Sequence, residues 1–397
     1  MQITVVKFGG TSLATPKEIA KAGKMCKQRI EEGTKILCVV SAMAGETDRL
    51  LGFIHYLHPH AKASLIEAEV LALGEMLSAR LLWGALLAQD IKARFVDPHN
   101  PLWPIYIKEG EVDETRTEEG FKKILDLFSQ GAEVVVLTGF LARDEKNNLV
   151  TLGRGGSDTT ALIAGKFLGT EEIVIVTDVE GIYTADPRLF PNAEKINTID
   201  AETLASLSST GAKVLHPDAL KHKGKGQKLK IIHHKFGDLT YEGTVVDGTV
   251  ERNVYLYREP LLCVTLHYTD IVENKEVFSL LGRIGKTVLG ITQGIDYLGF
   301  YTPLHQKEGI LQSLQELVNK GYKLTTTEPV GLLILRRESS TNAPGMINSI
   351  VEPLAHNGIN IVELISVGRE ILLFVHWDDV ERVENTLHPK IKGGNNG

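Results

Sequence analysis

Hydrophobic and polar positions follow two alternating patterns along the first 250 residues. Short β-branched apolar runs, typical of strands buried in a parallel sheet, are separated by longer stretches with helical spacing. The predicted strands are 3–8, 36–41, 133–138 and 173–177, and the predicted helices are 16–32, 61–89 and 159–167. This alternation predicts an α/β sandwich with a mostly parallel sheet and helices on both faces.

The order of predicted strands and helices changes near residues 258–260. From there the chain predicts strands at 261–268, 288–294, 298–303, 331–336, 359–367 and 371–377, and helices at 275–286, 309–320, 344–356 and 380–387. This order is that of two successive ferredoxin-like βαββαβ units, a tandem repeat of about 65 residues. We therefore expect a first domain at 1–258, two repeat units at 259–330 and 331–391, and a disordered Gly- and Asn-rich tail at 392–397.

Composition narrows the possible classes of protein. The 397 residues carry a net charge of −7, which argues against a nucleic-acid partner. The three cysteines are far apart and odd in number, which favours a reducing compartment without a disulfide framework. The N-terminus lacks a signal-peptide layout, and no uninterrupted apolar run approaches the roughly 18 residues of a membrane span. A cytoplasmic enzyme is the expectation.

The motif KFGGTS (residues 7–12) follows the first predicted strand. Its two glycines allow the backbone to approach phosphate oxygens, and Lys7 supplies a positive charge for a phosphoryl group in transfer. A glycine pair after a strand is equally compatible with a simple tight turn. The pattern differs from the P-loop consensus.

The motif TLGRGGSD (residues 151–158) is the sharpest signal in the chain. Arg154 stands among three glycines, where a guanidinium can bind a carboxylate through two hydrogen bonds. Asp158 lies near the start of a predicted helix, so it is either a site residue or an N-cap, a role that Ser157 can also fill.

Two later loops add polar groups. In TDVEGIYTADPR (residues 177–188), Asp178 suits a ribose hydroxyl, Tyr183 suits a base, and Asp186 and Arg188 flank a proline; a plain polar loop is the alternative. The loop GAKVLHP (residues 211–217) supplies another lysine. Because ligands bind beyond the carboxyl ends of strands in such sheets, these loops are expected to share one site with the earlier motifs.

Several polar residues remain ambiguous from spacing alone. The loop SAMAGET (residues 41–47) offers hydroxyl groups after the second strand, and Glu75 lies within a helix, where a lone glutamate is usually a solvated surface residue. Histidines at 55, 58 and 60 and at 233 and 234 lack metal-ligand spacing and are interpreted as surface residues. The basic run 221–230 is interpreted as a solvated loop, with a nucleotide-bordering loop as the alternative.

Taken in order, these motifs resemble the aspartokinase branch of the amino-acid kinase superfamily over essentially the whole chain. The resemblance implies an ATP site at Lys7, Gly9, Gly10, Thr177, Asp178, Tyr183, Asp186, Arg188, Lys213 and Val214. It implies substrate contacts at Ser41, Thr47, Glu75, Arg154 and Ser157, with Lys7, Asp158 and Lys213 as catalytic residues. Glu75 would receive the substrate ammonium and Arg154 its α-carboxylate, so Glu75 becomes a functional candidate.

The resemblance also implies a reaction. L-Aspartate and ATP, with Mg²⁺, give 4-phospho-L-aspartate and ADP, the first step towards lysine, threonine and methionine. The β-carboxylate is already ionised at neutral pH, so no protein base is needed. No protein metal-ligand set is predicted.

The C-terminal repeat resembles the paired ACT domains of aspartokinases, which bind an end-product amino acid and mediate dimerisation. The second unit fits through APGM at 343–346 and NGINI at 357–361. The paired units imply a homodimer or higher oligomer. Because the first unit lacks a matching Pro-Gly and Gly-Ile-Asn, we expect the enzyme to respond weakly to lysine or threonine, or to respond to an unusual effector. The segment 96–104 also departs from the family pattern near the substrate pocket.

Two alternatives stay open at this stage. One is a related kinase for glutamate or uridylate, which the GRGGSD motif and the tandem repeat disfavour. The other is a catalytically weak ACT sensor on a kinase scaffold, which the intact set of charged site residues disfavours.

Overall fold

The computed structural model describes residues 2–57, 65–184, 187, 190, 192–209, 215–250, 253–267, 282, 288–336, 345–367 and 370–392. The chain divides into two compact units, Met1–Glu251 and Arg252–Gly397.

An eight-stranded sheet forms the centre of the first unit. The strands of this unit are β1 (Ile3–Phe8), β2 (Lys35–Val40), β3 (Ala93–Val96), β4 (Ile107–Lys108), β5 (Glu111–Val112), β6 (Val134–Thr138), β7 (Leu141–Arg143), β8 (Leu149–Thr151), β9 (Glu172–Thr177), β10 (Ile182–Tyr183), β11 (Lys195–Ile196), β12 (Thr198–Asp200), β13 (Lys228–His233) and β14 (Thr244–Asp247). The order across the sheet is β12-β14-β13-β9-β1-β2-β6-β3, and β13 with β14 is its antiparallel pair. The predicted, mostly parallel sheet is confirmed.

Helices pack on both faces of this sheet. They are α1 (Pro16–Glu31), α2 (Glu46–Leu57), α3 (Leu65–Leu87), α4 (Glu114–Ser129), α5 (Gly156–Leu168), α6 (Ala201–Ser209) and α7 (Pro217–Leu220). Side chains alternate along β1, so that Val5 enters a core shared with α4 and α5, whereas Val6 enters a core shared with α1 and α3. Two apolar layers on opposite faces of one sheet make the sandwich that the sequence predicts.

Helix α3 has apolar residues on every side of its circumference, interrupted by Glu67, Glu69, Glu75 and Arg80. By length and composition alone, Ile66–Leu87 is the stretch among the described residues that would suit a membrane span, and 44% of its most apolar window is buried within the protein. A core helix of a soluble protein passes the same test, so this finding is weak evidence for a membrane.

One interpretation from sequence changes in three dimensions, and two cysteines that are separated in the sequence lie close together. The basic run is not simply a solvated loop, because Lys223 is buried and donates to the Gly248 carbonyl at 2.6 Å, and buried Lys230 pairs with Glu172 at 3.2 Å. Cys26 and Cys38, distant in sequence, lie with their sulfur atoms 3.5 Å apart as free thiols.

The second unit consists of an antiparallel sheet and the helices that connect its strands. Its strands are β15 (Asn253–Leu256), β16 (Leu261–His267), β17 (Gly290–Gln293), β18 (Tyr297–Pro303), β19 (Lys323–Arg336), β20 (Ile361–Val367) and β21 (Glu370–His376). Its described helices are α8 (Lys307–Asn319), α9 (Met346–His356) and α10 (Val380–Lys392). The predicted helix at 275–286 lies outside the described residues apart from position 282, as does the tail at 393–397.

Strand β19 is longer than the predicted strand 331–336 and serves both halves of the sheet. Its first part pairs with β16, in the order β17-β18-β16-β19, and its last part pairs with β21 and with β15. Both halves therefore have the strand order of a ferredoxin-like unit, consistent with ACT-like units. The fourth strand of the second half is β15, which comes before the first half in the chain. A prediction that takes the two units one after the other along the sequence therefore misses this pairing.

Candidate functional site

Four parallel strands of the first unit end at one edge of the sheet, and the motif residues follow them. Lys7 of β1 is in register with Val39 of β2 and Ile175 of β9. Neighbouring strands are about 4.8 Å apart, so the segments after β1, β2, β6 and β9 are necessarily close together. The shared edge that the sequence predicts is present.

The side chains of Lys7 and Asp158 meet at this edge. Lys7 Nζ lies 2.7 Å from Asp158 Oδ1, and both side chains are largely buried. Helix α5 begins at Gly156 and its N-cap is Gly155, without a side-chain cap, so Asp158 stands in the first turn and is not the N-cap. A carboxylate in the first helical turn is stabilised by the helix dipole and here also holds a lysine in place.

The glycines of the first motif allow close backbone packing. A Cβ at Gly10 would lie 2.7 Å from the Ala42 carbonyl oxygen, and one at Gly9 would lie 3.6 Å from Lys7 Nζ. The N–H of Gly9 already donates to the Val176 carbonyl at 3.0 Å. Gly10 begins a short 3₁₀ helix, Gly10–Leu13, whose first N–H groups have no partner within the helix and are the donors that an anion can use.

The loop before α5 exposes a charged side chain, and the first turn of α5 buries a hydroxyl group. Gly153 and Gly155 adopt φ values of 73° and 70°, which favour glycine, and a Cβ at Gly155 would lie 2.2 Å from His216 Cβ. Arg154 between them is exposed, whereas Ser157 is buried. The guanidinium is therefore presented at the surface of the site by a backbone that only glycine accommodates well.

Glu75 of α3 is buried, so the interpretation of a solvated surface glutamate is wrong. Its side chain is 4% exposed, and its pKa is raised from 4.5 to about 7 because burial penalises the charged form, while the backbone N–H of Ala42 offsets part of this effect. A Cβ at neighbouring Gly74 would lie 2.9 Å from Ala42 Cβ, so α3 contacts the loop after β2 here. Among the described residues, Glu75 has no partner in an ion pair, and such a buried carboxyl group suits a positively charged ligand group.

The loop after β2 carries the two predicted hydroxyl residues. The N–H of Ser41 donates to the Phe8 carbonyl at 3.1 Å, which ties this loop to the end of β1. Thr47 lies in the first turn of α2, and both side chains are partly exposed.

The segment after β9 lies on the other side of β1. Thr177 donates to Asp178 at 3.2 Å, and the Tyr183 hydroxyl donates to Glu180 at 3.5 Å. His233 at the end of β13 is in register with Thr177, and its pKa is lowered by burial and by the charges of His234 and Lys235, an effect that Glu180 and Asp178 partly offset. Sequence analysis interpreted His233 as a surface residue, because its register with Thr177 depends on pairing between two strands that are distant in the sequence.

A further missed position follows β6. The N–H of Gly139 donates to the Val40 carbonyl at 2.8 Å, and a Cβ there would lie 2.7 Å from Ser157 Cβ. The sequence signal that could have identified Gly139 is a glycine directly after a buried strand, the same pattern as after β1.

Some predicted positions are not placed by the structure. Asp186, Arg188, Lys213 and Val214 lie outside the described residues. The segment 96–104, which differs from the family pattern, is held by two arginines. Arg80 pairs with buried Asp97 at 2.6 Å, and Arg143 donates to the Pro98 carbonyl at 2.6 Å. Within the described ranges, no group of three or more His, Cys, Asp or Glu side chains could hold a metal ion.

Comparison with known proteins gives a family match. Residues 2–233 match the model of the amino acid kinase family. The chain is 38% identical over 224 residues to an aspartokinase of Rickettsia felis, which covers 56% of this chain and 55% of the relative. The match spans about half the length of that curated relative. The resemblance inferred from the motifs is confirmed.

Solved structures share the fold over the whole chain. Aspartate kinase from Synechocystis superposes with a TM-score of 0.80 at 22% identity, covering 100% of this chain and 71% of that one. Aspartokinase III from E. coli, solved in complex with aspartate and ADP, superposes with a TM-score of 0.55 at 24% identity, covering 99% of this chain and all of that one. These likenesses concern the fold.

Proposed function

Because the chain belongs to the amino acid kinase family, we propose that it is an aspartate kinase. It transfers the γ-phosphoryl group of ATP to the β-carboxylate of L-aspartate, giving 4-phospho-L-aspartate and ADP. This is the first committed step towards lysine, threonine and methionine. The observation that carries the proposal is the Lys7–Asp158 pair beside the glycines at the carboxyl edge of the sheet.

Lys7 neutralises charge on the phosphoryl group in transfer. Phosphoryl transfer depends on positioning and on stabilising charge spread over the phosphate oxygens. Asp158 fixes the ammonium of Lys7 at 2.7 Å before substrates arrive, so little side-chain ordering remains to be done. Gly10 and the 3₁₀ helix that it begins bring backbone N–H groups to the same place.

The amino-acid substrate needs a partner for its ammonium and another for its α-carboxylate. Glu75, buried and raised in pKa to about 7, gains a counter-ion when an ammonium binds. Arg154, exposed on its glycine loop, takes the α-carboxylate. With both ends held, the β-carboxylate is directed towards the phosphoryl group, and Ser41, Thr47 and Ser157 line the remaining polar surface.

The reaction needs no protein base, because the attacking carboxylate is ionised at neutral pH. The contribution of this chain is alignment and charge neutralisation. Mg²⁺ would be held mainly by the phosphates of ATP and by water, and it would supply positive charge next to the transferred phosphoryl group.

ATP binds on the β9 side of Lys7. Thr177, Asp178 and Tyr183 follow β9 and contact the nucleoside, and Asp186, Arg188, Lys213 and Val214 complete the nucleotide site by resemblance. Aspartokinase III from E. coli, which shares this fold, was solved in complex with aspartate and ADP, and this supports the proposal that the chain binds both an amino acid and a nucleotide.

The second unit supplies regulation and dimerisation. Its ferredoxin-like halves are ACT units that bind an amino-acid effector, lysine or threonine, and the active enzyme is a homodimer or a higher oligomer.

A hydroxylamine-trapping assay tests the activity. Mg-ATP and L-aspartate should give aspartyl hydroxamate and ADP, and L-glutamate or UMP in place of aspartate should give no turnover. The Lys7→Ala variant serves as the inactive control. If folded protein binds ATP but forms no hydroxamate, the proposal of an aspartate kinase is wrong.

A further inference from the structure

The short strand β10, which carries Tyr183, is attached to the start of β14 by one buried threonine. The N–H of Ile182 donates to Thr244 Oγ1 at 2.9 Å, and this hydroxyl donates to the Ile196 carbonyl of β11 at 2.6 Å. A Cβ at Gly181 would lie 2.5 Å from the same Oγ1. Thr244 therefore holds both strands of the antiparallel β10–β11 pair.

The hydroxyl of Tyr183 meets a carboxylate that is shared with a lysine. Glu180 accepts from the Tyr183 hydroxyl through Oε2 at 3.5 Å and from Lys235 Nζ through Oε1. Lys235 belongs to the segment between β13 and β14, residues 234–243. Its ammonium lowers the pKa of Glu180, which keeps the carboxylate ionised and able to accept both hydrogen bonds.

The backbone of Lys235 is held on both sides. Its N–H donates to His233 Nδ1 at 2.9 Å, and its carbonyl accepts from Lys21 Nζ of α1 at 2.8 Å. The side chains of Lys235 and Glu180 are 47% and 41% exposed, so their ion pair by itself contributes little to stability. The fixed backbone instead gives the ammonium a defined position beside Glu180.

The partner strand β11 contacts the same segment. Lys195, which is in register with Tyr183, lies with its ammonium 5.2 Å from the centre of the Tyr241 ring. That ring stacks on Phe236, with the two centroids 3.9 Å apart. Two separate contacts therefore join residues 234–243 to the β10–β11 pair and the turn before it.

We propose that Lys235 is a positioning residue for the nucleotide, which acts through Glu180 to fix the Tyr183 side chain where the nucleoside of ATP binds. This inference rests on the nucleotide site proposed above, in which Tyr183 contacts the nucleoside. A side chain that is already ordered avoids the entropy cost of being immobilised when the ligand binds. Loss of Lys235 should therefore lower nucleotide affinity and leave the chemical step unchanged.

Direct contact between Lys235 and the phosphates of ATP is the alternative, and the topology disfavours it. Lys235 follows β13, which is separated from β1 by β9. At about 4.8 Å per strand, the end of β13 lies roughly 10 Å from the Lys7 end of β1, where the phosphoryl group is placed. The ammonium of Lys235 is also already paired with Glu180.

Nucleotide binding by Lys235→Met tests the proposal. Calorimetric titration with ADP and Mg²⁺ should give a Kd raised roughly fivefold, the effect of one side chain that must be ordered on binding. Initial rates should show a similar rise in the KM for ATP, with kcat and the KM for aspartate changed by less than about twofold. Lys235→Arg keeps a cation beside Glu180 and should restore the Kd to within about twofold of wild type.

Lys166→Met is the matched control. Lys166 also pairs with a glutamate, Glu114 at 2.7 Å, and its ammonium lies 5.3 Å from the ring centre of the next residue, Phe167. This variant should bind ADP like the wild type. A loss of affinity in Lys235→Met that Lys235→Arg does not restore, or that accompanies a lowered urea midpoint, would assign Lys235 a structural role instead.

A double-variant cycle separates positioning from direct contact. Glu180→Ala should itself raise the Kd for ADP, and adding Lys235→Met should then have no further effect, because the lysine acts through the carboxylate. A further loss in the double variant would overturn the proposal, as would an unchanged Kd in Lys235→Met. Wild type that binds no ADP would overturn both this inference and the proposed nucleotide site. ADP binding without hydroxamate formation would contradict only the aspartate kinase activity, and the Kd values would still decide the role of Lys235.

Discussion

Replacing Glu75 by glutamine removes a buried carboxyl group that is costly to ionise. Burial of the side chain raises its pKa from 4.5 to about 7. A glutamine has nearly the same shape but carries no charge at any pH. The Glu75→Gln variant therefore isolates the cost of the buried charge from the packing of α3 against the loop after β2.

The size of the effect follows from proton linkage. The difference between 4.5 and about 7 corresponds, at about 1.36 kcal/mol per pH unit, to about 3 kcal/mol. The native state binds the proton more tightly than the unfolded state, so the free energy of unfolding falls as pH rises from about 4.5 to about 7 and then levels off. Between pH 5 and pH 8, Glu75 should cost the native protein about 2.5 kcal/mol.

Urea unfolding of the two proteins at several pH values measures this difference. From pH 5 to pH 8, the wild type should lose about 2.5 kcal/mol more stability than Glu75→Gln. Glu69→Gln, on the exposed side of the same helix, is the matched control and should follow the wild type. Parallel stability curves for wild type and Glu75→Gln would refute the reasoning. Saturating L-aspartate should reduce the wild-type loss, because a bound ammonium favours ionised Glu75, and the variant should show a raised KM for aspartate.

Three further predictions concern other parts of the chain. Lys7→Ala should lower kcat by roughly 10²–10³-fold and change the KM for aspartate much less, as measured by initial rates of hydroxamate formation; an unchanged kcat would remove Lys7 from catalysis. Gly10→Ala should cost about 1–3 kcal/mol in urea unfolding and raise the KM for ATP, because its Cβ would lie 2.7 Å from a backbone carbonyl, whereas Gly52→Ala, in open space on α2, should be neutral or stabilising. Millimolar lysine or threonine should inhibit by less than about twofold, because the first ACT-like unit departs from the family pattern, and strong inhibition in the same assay would contradict this.

Much of the fold was predictable because its local signals agree with its tertiary structure. The strand at Ile3–Phe8 and the helix beginning at Pro16 match their predicted patterns, and Thr15 caps this helix. The long strand β19 was only half predicted. Its first part is exposed and polar, with three consecutive threonines, and pairs with β16 at a distance of about 60 residues in sequence, so no local apolar run marks it.

Residues of the candidate site were predictable where the neighbouring residues in the sequence indicate their role. Lys7 and Arg154 stand beside glycines that serve close backbone approach. Glu75 had no such signal, because a glutamate in a helix is normally solvated, and only the packing of α3 against Ala42 buries it. Asp158 seemed a possible helix cap until its pairing with Lys7, a residue 151 positions away in sequence, placed it in the site.

The sequence by itself determined the order of the elements, the strand ends at which glycines and polar residues follow, and the family that those motifs resemble. These features depend on residues close together in the chain. The tertiary structure alone decided which lysines of the basic run are buried, that Cys26 lies against Cys38, that β15 completes the second ferredoxin-like half, and that Glu75 has a raised pKa. Each of these depends on a contact between distant segments, and burial and electrostatic environment exist only once those segments have packed.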